Sequence, residues 1–128
     1  MKKNELTVTD LMLGNWVICY HPSRQKSFEK VSIGLLHTMQ EQEYGHIKED
    51  SPLFRIVEPI PITPEILKKN GFIRINAAVT TYKLTEYLYW TPRGLEHELS
   101  EIPICHINFI HELQNTLKLC KSDKEITL

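Results

Sequence analysis

One segment near the middle of the chain restricts the fold more than any other. It reads PIPITPEILKKNGF and covers Pro59–Phe72. Thr63 is a typical helix N-cap residue, and Pro64 suits the first helical position because that position needs no N–H donor. Gly71 can take the left-handed conformation that ends many helices. A short helix is therefore predicted from Thr63 to Asn70, defined at both ends.

Strand patterns lie on both sides of this helix, and a helical pattern follows them. The strand candidates are Trp16–Tyr20, Leu53–Val57, Phe72–Asn76, Tyr82–Leu84, Tyr87–Trp90 and Leu95–Ser100. The later ones are joined by short connections, which is typical of an antiparallel β-meander. In the last part of the chain, apolar residues recur three and four positions apart: Ile107, Ile110, Leu113, Leu117 and Cys120. This spacing predicts a C-terminal helix near Ile107–Lys121 with one buried face.

We therefore expect a single α+β domain over residues 1–128, which is the length of one ordinary domain. It should contain a mostly antiparallel sheet, one short helix, and one C-terminal helix packed on the sheet. The N-terminal strands are expected to curl into a small SH3-like half-barrel. His21–Lys30 is interpreted as an exposed hairpin connection and Gln40–Pro52 as an acidic loop. The pattern of Val31–Met39 fits a strand or a helix equally well.

Composition excludes several classes of protein. Fifteen Lys and Arg residues face sixteen Asp and Glu residues, for a net charge of -1. Binding to nucleic acid through bulk charge needs a basic excess, so it is not expected. The longest apolar runs are only a few residues, so neither a signal peptide nor a membrane span is expected. Three cysteines without CxxC spacing fit free thiols in a cytoplasmic protein.

No motif for metal binding, nucleophilic catalysis or phosphate binding has the residue spacing that it requires. His106 and His111 are five positions apart, about 140° around a helix, so they cannot share one metal ion on it. We expect a core-edge His106 and a solvated or hydrogen-bonded His111. Cys19 and His21 share a strand face, but no third group is evident that would orient them. The chain also lacks a GxSxG elbow and a phosphate-binding glycine loop. We expect no catalytic residue, no metal site and no cofactor.

Aromatic residues close to cations are the more informative set. The candidates for a ligand site or interface are Trp16, Tyr20, Tyr82, Lys83, Tyr87, Tyr89, Trp90 and Arg93. Such side chains serve as core, as protein interface or as a platform for stacking a ligand. Alternation places Tyr87 and Tyr89 on one face of the meander and Trp90 on the other. One of the two faces should therefore carry aromatic area that the C-terminal helix does not cover.

Three segments together resemble a known family. They are LGNWV (Leu13–Val17), PIPITPEILKKNGF (Pro59–Phe72) and IHELQN (Ile110–Asn115). They resemble, in the same order, segments of a family of small uncharacterised proteins common in gut bacteria, their phages and mobile elements. This chain departs from that pattern by a longer insertion across Arg24–Asp50. The resemblance implies no activity, but it implies an accessory role such as interference with a host defence system.

These observations lead to three hypotheses. The first is a non-enzymatic interaction module that acts through a protein partner or self-association. The second is a protein that binds or sequesters a small anionic ligand such as a nucleotide. The third is a metal-dependent hydrolase that uses the His and Glu groups, including Glu96 and Glu98. Membrane association is expected for none of them.

Overall fold

The structure is a computed structural model that describes residues 6–76, 81–84, 88–92, 94–97, 106–120, 122 and 124–128. These residues form an α+β protein with two antiparallel sheets and three α-helices, which confirms the expected fold class. The chain divides into two compact units, Met1–Ile60 and Pro61–Leu128. The expectation of a single domain stays a prediction, and the two units are described separately.

The N-terminal unit is built on a three-stranded antiparallel sheet. Its strands are β1 (Trp16–Tyr20), β2 (Ser27–Lys30) and β3 (Ile56–Glu58), in the order β2-β1-β3. The prediction for β1 is confirmed at both ends. The hairpin connection is shorter than expected, because its second half pairs with β1 as β2. Within the residues described, the sheet is open and does not close into a barrel.

A helix that sequence patterning left undecided lies between β2 and β3. Helix α1 covers Ile33–Glu43, so the helical alternative for Val31–Met39 is the correct one, and the first part of the expected acidic loop is helical. Ser32 caps its start by accepting a hydrogen bond from the Leu35 N–H, and Gly45, with φ of 79°, follows its end. The apolar pattern of this helix is weak, and Met39 is its one fully buried side chain. Local capping therefore defines α1 more clearly than amphipathicity does.

The core of this unit lies on one face of the sheet. Burial alternates along β1, with Val17 and Cys19 buried and their neighbours half-exposed. Met39 from α1 and Val57 from β3 join the same buried cluster. The remaining buried members are Leu11 and Val31. The opposite face of β1 and β2 therefore takes no part in this cluster.

The C-terminal unit begins with the predicted short helix. Helix α2 covers Pro64–Lys69, and the Thr63 side chain accepts from the Ile66 N–H as expected of an N-cap. At its end Phe72 N–H donates to the Leu67 carbonyl and Gly71 N–H to the Lys68 carbonyl, the hydrogen-bond pair of a Schellman motif. Gly71 has a φ of 82°. The helix is thus confirmed at both ends.

The expected meander follows as a four-stranded antiparallel sheet. Its strands are β4 (Ile73–Asn76), β5 (Thr81–Lys83), β6 (Leu88–Thr91) and β7 (Gly94–His97), paired in sequence order. The register shifts between Arg74 and Asn76, so β4 carries a bulge at one edge of the sheet. Residues 98–100 of the expected last strand lie outside the described residues.

Helix α3 covers Ile110–Leu119 and is shorter than the predicted Ile107–Lys121. The Glu112 carboxylate accepts from the Asn108 and Phe109 N–H groups and so defines where the helix starts. The predicted apolar stripe is buried at Ile107, Ile110, Leu113 and Leu117. Cys120 is exposed, because the helix ends before it, and so the prediction that it completes the stripe is wrong.

The C-terminal tail is held by a buried side chain of α2's C-cap. Asn70 Nδ2 donates to the Thr127 carbonyl at 2.8 Å, and its Oδ1 accepts from the Thr127 N–H at 2.7 Å. Ile126 next to it is buried. These contacts fix the end of the tail, and none of its described residues belongs to a strand.

Candidate functional site

Two of the predicted aromatic candidates belong to the core. Tyr82 lies opposite Trp90, which lies opposite Leu95, and all three are buried. The Tyr82 and Trp90 rings are 6.4 Å apart, and the Trp90 indole donates to the Ile107 carbonyl at 2.8 Å. Because Trp90 is only 7% exposed and its polar atom is satisfied, neither ring is available to a ligand or a partner.

The other face of the same sheet carries two more candidates. Lys83 lies opposite Ile73 on one side and Tyr89 on the other. Lys83 is exposed and Tyr89 is half-buried. Ile73 and Ile75 on β4 are 68% and 51% exposed. Lys83 is grouped with Tyr82 and Trp90 in the sequence analysis, but in the sheet it lies on the opposite face from their rings. Tyr87 and Arg93 lie outside the described residues.

The two N-terminal candidates lie on a more continuous surface. Trp16 and Tyr20 are half-exposed on the face of β1 opposite the buried cluster, with Ile18 between them. Phe28 lies directly across from Ile18 and is 60% exposed, and Lys30 lies across from Trp16. We call this surface the Trp16 face, defined by Trp16, Ile18 and Tyr20 of β1, Phe28 and Lys30 of β2, and Lys26, which precedes β2. On the β3 side Ile56 is buried, so the surface is confined to β1 and β2.

Lysine ammonium groups lie over both candidate rings of the Trp16 face. Lys26 Nζ is 5.1 Å from the centroid of the Tyr20 ring, and Lys30 Nζ is 5.3 Å from that of Trp16. Lys26 also forms an ion pair with Glu58 at 2.9 Å, and this hydrogen bond raises the pKa of the ammonium. The Tyr20 hydroxyl donates to the other Glu58 oxygen at 3.3 Å. Among the described contacts Lys30 has no carboxylate partner, so the face has a net positive charge.

The Trp16 face contains residues that sequence reasoning missed. Phe28, Ile18 and the two lysines were not among the candidates, although Lys26, Phe28 and Lys30 alternate in the sequence KSFEK. That alternation indicates a strand with one aromatic and cationic face. The segment lies within the expected hairpin connection His21–Lys30, for which no strand is predicted. A surface of this kind can bind an apolar surface with acidic neighbours.

The cysteine and histidine candidates show no catalytic arrangement within the described part of the chain. Burial and a hydrogen bond with Glu29 raise the pKa of the Cys19 thiol to about 12, which disfavours the nucleophilic thiolate. The His21 ring contacts Ser23 and the Ser51 carbonyl instead of Cys19.

Of the two histidines considered for a metal, His106 is not at the edge of the core as expected, and His111 is not solvated. His106 is exposed, whereas His111 is buried and stacks on the Phe109 ring at 6.0 Å. The start of α3 at Ile110 turns position 111 inward. Over the described ranges, no three His, Cys, Asp or Glu side chains converge as a metal site would require. The side chains of Glu96 and Glu98, named for the hydrolase hypothesis, lie outside the description.

Two cavities have distinct linings. The larger, about 450 Å³, lies beside α1 in the N-terminal unit and has an apolar floor that includes Met39. Its charged lining residues have both signs: Glu43, Lys48, Glu49 and Arg55. The smaller, about 270 Å³, lies in the C-terminal unit, and its charged lining residues are Lys83 and Lys124. Of these two cavities, the smaller one therefore has charged lining residues of a single sign.

Comparisons with known proteins add no assignment to this geometry. No protein-family model, curated protein or solved structure matches the chain. None of the helices in the described residues has the length and apolar character needed to cross a lipid bilayer.

Proposed function

We propose that this protein is a non-enzymatic interaction module that binds a protein partner through the Trp16 face. The observation that carries the proposal is the exposure of Phe28 beside Trp16 and Tyr20, on the side of the sheet opposite its core. Aromatic side chains are enriched at the centres of protein interfaces, where they bury large area at low entropic cost.

The charge on the surface indicates the chemistry of the partner. Lys26 is neutralised by Glu58, whereas Lys30 contributes an uncompensated positive charge within the described contacts. Arg24 in the connection between β1 and β2 is also exposed. A partner with an apolar centre and acidic residues around it fits this arrangement, because complementary charge favours association and excludes other partners.

The accessory role rests on a different kind of support. The resemblance of three segments to a family carried by phages and mobile elements is what favours it. On that basis the partner would be a component of a host system with which the protein interferes.

The proposal is tested with two matched double variants. F28S/K30E changes the Trp16 face, and I33S/K48E makes the same kinds of change at an exposed isoleucine and an exposed lysine elsewhere in the N-terminal unit. Proteins captured from the natural host by each variant are compared with those captured by the wild type. Any protein that the wild type and I33S/K48E capture but F28S/K30E does not is then purified. Its affinity for the wild type and for each variant is measured.

The expected result is a partner whose affinity falls by at least about thirtyfold for F28S/K30E, since residues at the centre of an interface contribute about 2 kcal/mol or more. The I33S/K48E variant should bind as the wild type does. Capture of the same proteins by the wild type and F28S/K30E would contradict the proposal. Binding of a single-stranded oligonucleotide through Trp16 and Lys30 would assign the surface to nucleic acid instead.

A further inference from the structure

A second site is suggested by the smaller cavity, in the C-terminal unit. Its volume is about 270 Å³, and we call it the dilysine cavity. The apolar part of its wall is formed by Phe72, Ile73 and Leu84, and its polar side chains are Lys83, Ser122 and Lys124. No carboxylate is among the described side chains that line it.

The two lysines line this cavity, and no counter-charge to either is present among the described contacts. Among the described contacts neither Lys83 nor Lys124 forms an ion pair with a carboxylate. An anion bound in this cavity would make an attractive contact with each of the two lysines that line it.

The local backbone places Lys124 and Ser122 together. Gly71 has a φ of 82°, and a Cβ there would lie 3.2 Å from Lys124 Nζ, so the glycine leaves room for the ammonium group. Lys124 Nζ also lies 5.3 Å from the centroid of the Phe72 ring. The Lys124 N–H donates to Ser122 Oγ at 3.2 Å, which leaves the hydroxyl hydrogen for a ligand.

We propose that the dilysine cavity binds a small phosphomonoester. A phosphate monoester has a charge of about −1.5 to −2 at pH 7 and three acceptor oxygens, which match two ammonium groups and one hydroxyl donor. A carboxylate offers half that charge. The apolar wall contacts the organic part of the ligand, and a cavity of about 270 Å³ has room for a group the size of a sugar. This site is separate from the Trp16 face and does not depend on the proposed function.

The test is an NMR titration of the whole protein with ribose 5-phosphate, inorganic phosphate and ribose. The wild type is compared with K83A/K124A and with the control K48A/K68A, which removes two exposed lysines outside the cavity. Ribose 5-phosphate should shift the amide signals of Gly71 and Ser122. It should also bind more tightly than inorganic phosphate. Removal of both lysines should weaken binding by about 100-fold, because each charged hydrogen bond contributes about tenfold or more. The control should change affinity by no more than about twofold.

A pH series adds an independent readout. Because the second ionisation of a phosphomonoester lies near pH 6, the ligand loses negative charge below that pH, and its affinity should fall between pH 7.5 and 5. Ribose alone should cause no shifts. The proposal is overturned if ribose 5-phosphate causes no shifts at Gly71 and Ser122 up to about 10 mM. It is also overturned if K83A/K124A binds ribose 5-phosphate as tightly as K48A/K68A does.

Discussion

The ammonium group of Lys30 lies 5.3 Å from the centroid of the Trp16 ring, across a directly paired position of β1 and β2. The contact follows from the register, because paired residues of antiparallel strands project to the same face. The ammonium group of Lys26 likewise lies 5.1 Å from the centroid of the Tyr20 ring. Each such contact is attractive, because the ammonium charge meets the negative face of the ring. The rings are thus oriented before a partner arrives, which lowers the entropic cost of binding.

Phe28 should contribute little to folding stability. Phe28→Ala is expected to lower the free energy of unfolding by no more than about 1 kcal/mol, because 60% of the residue is exposed. Met39→Ala should lower it by about 2–5 kcal/mol, because Met39 is buried in the core of the same unit. Urea unfolding of both variants measures the difference. Equal losses would show that Phe28 is part of the core.

The Cys19 thiol should make folding stability sensitive to alkaline pH. Its pKa is raised from 9.0 to about 12, chiefly by burial. Below pH 9 the thiol is protonated in both the folded and the unfolded state, so its contribution is fully present. Between 9.0 and about 12 the unfolded chain loses this proton while the folded chain keeps it, and stability falls.

The measurement is urea unfolding of the wild type and Cys19→Ala from pH 8 to 11. The stability of Cys19→Ala should fall less steeply over this range than that of the wild type. Cys120→Ala serves as the control, because it removes a thiol that is exposed instead of buried. Parallel curves for the wild type and Cys19→Ala would contradict the raised pKa.

The same substitution should have opposite effects at two glycines. Gly71→Ala should destabilise the protein by about 1–2 kcal/mol, because an alanine at a φ of 82° is strained and its Cβ would crowd Lys124. Gly34→Ala should stabilise it by about 0.5–1 kcal/mol, because Gly34 lies in α1 and its nearest neighbour would be 3.8 Å away. Thermal unfolding reports both effects. Shifts of the same sign in the two variants would be inconsistent with the described backbone.

Asn70 should control the order of the C-terminal tail. Asn70→Asp keeps the acceptor for the Thr127 N–H but loses the donor to the Ile66 and Thr127 carbonyls. We expect a loss of about 1–3 kcal/mol in stability and faster hydrogen exchange at Thr127. Asn108→Asp, at an exposed position, is the control. An unchanged exchange rate at Thr127 in Asn70→Asp would show that the tail is held by other contacts.

Elements with local signals at both ends were predictable from sequence. Thr63, Pro64 and Gly71 define α2, because caps and left-handed turns depend on few neighbours. Ser32 and Gly45 offer similar signals for α1, but the apolar pattern between them is weak, and the helix was not predicted. The end of α3 was overestimated because Cys120 continues the apolar period although the helix stops before it.

The candidate site was harder to predict, for a different reason. Alternation correctly separates Trp90 from Tyr89 on β6, but it does not say which face of a sheet is covered. Tertiary packing decides this, and it buries Tyr82 and Trp90 while leaving Trp16 and Tyr20 half-exposed. Of the described candidate rings, Trp16 and Tyr20 therefore belong to the Trp16 face of the first sheet, whereas Tyr82 and Trp90 belong to the core of the second.

Hydroxyl-radical footprinting of the complex with a captured partner tests the Trp16 face most directly. Tyr44 on the C-cap of α1 is 65% exposed and serves as the internal reference. The account predicts that oxidation of Trp16, Tyr20 and Phe28 falls by several-fold on binding, while that of Tyr44 is unchanged. Unchanged oxidation of Phe28 together with protection of Tyr44 would contradict it.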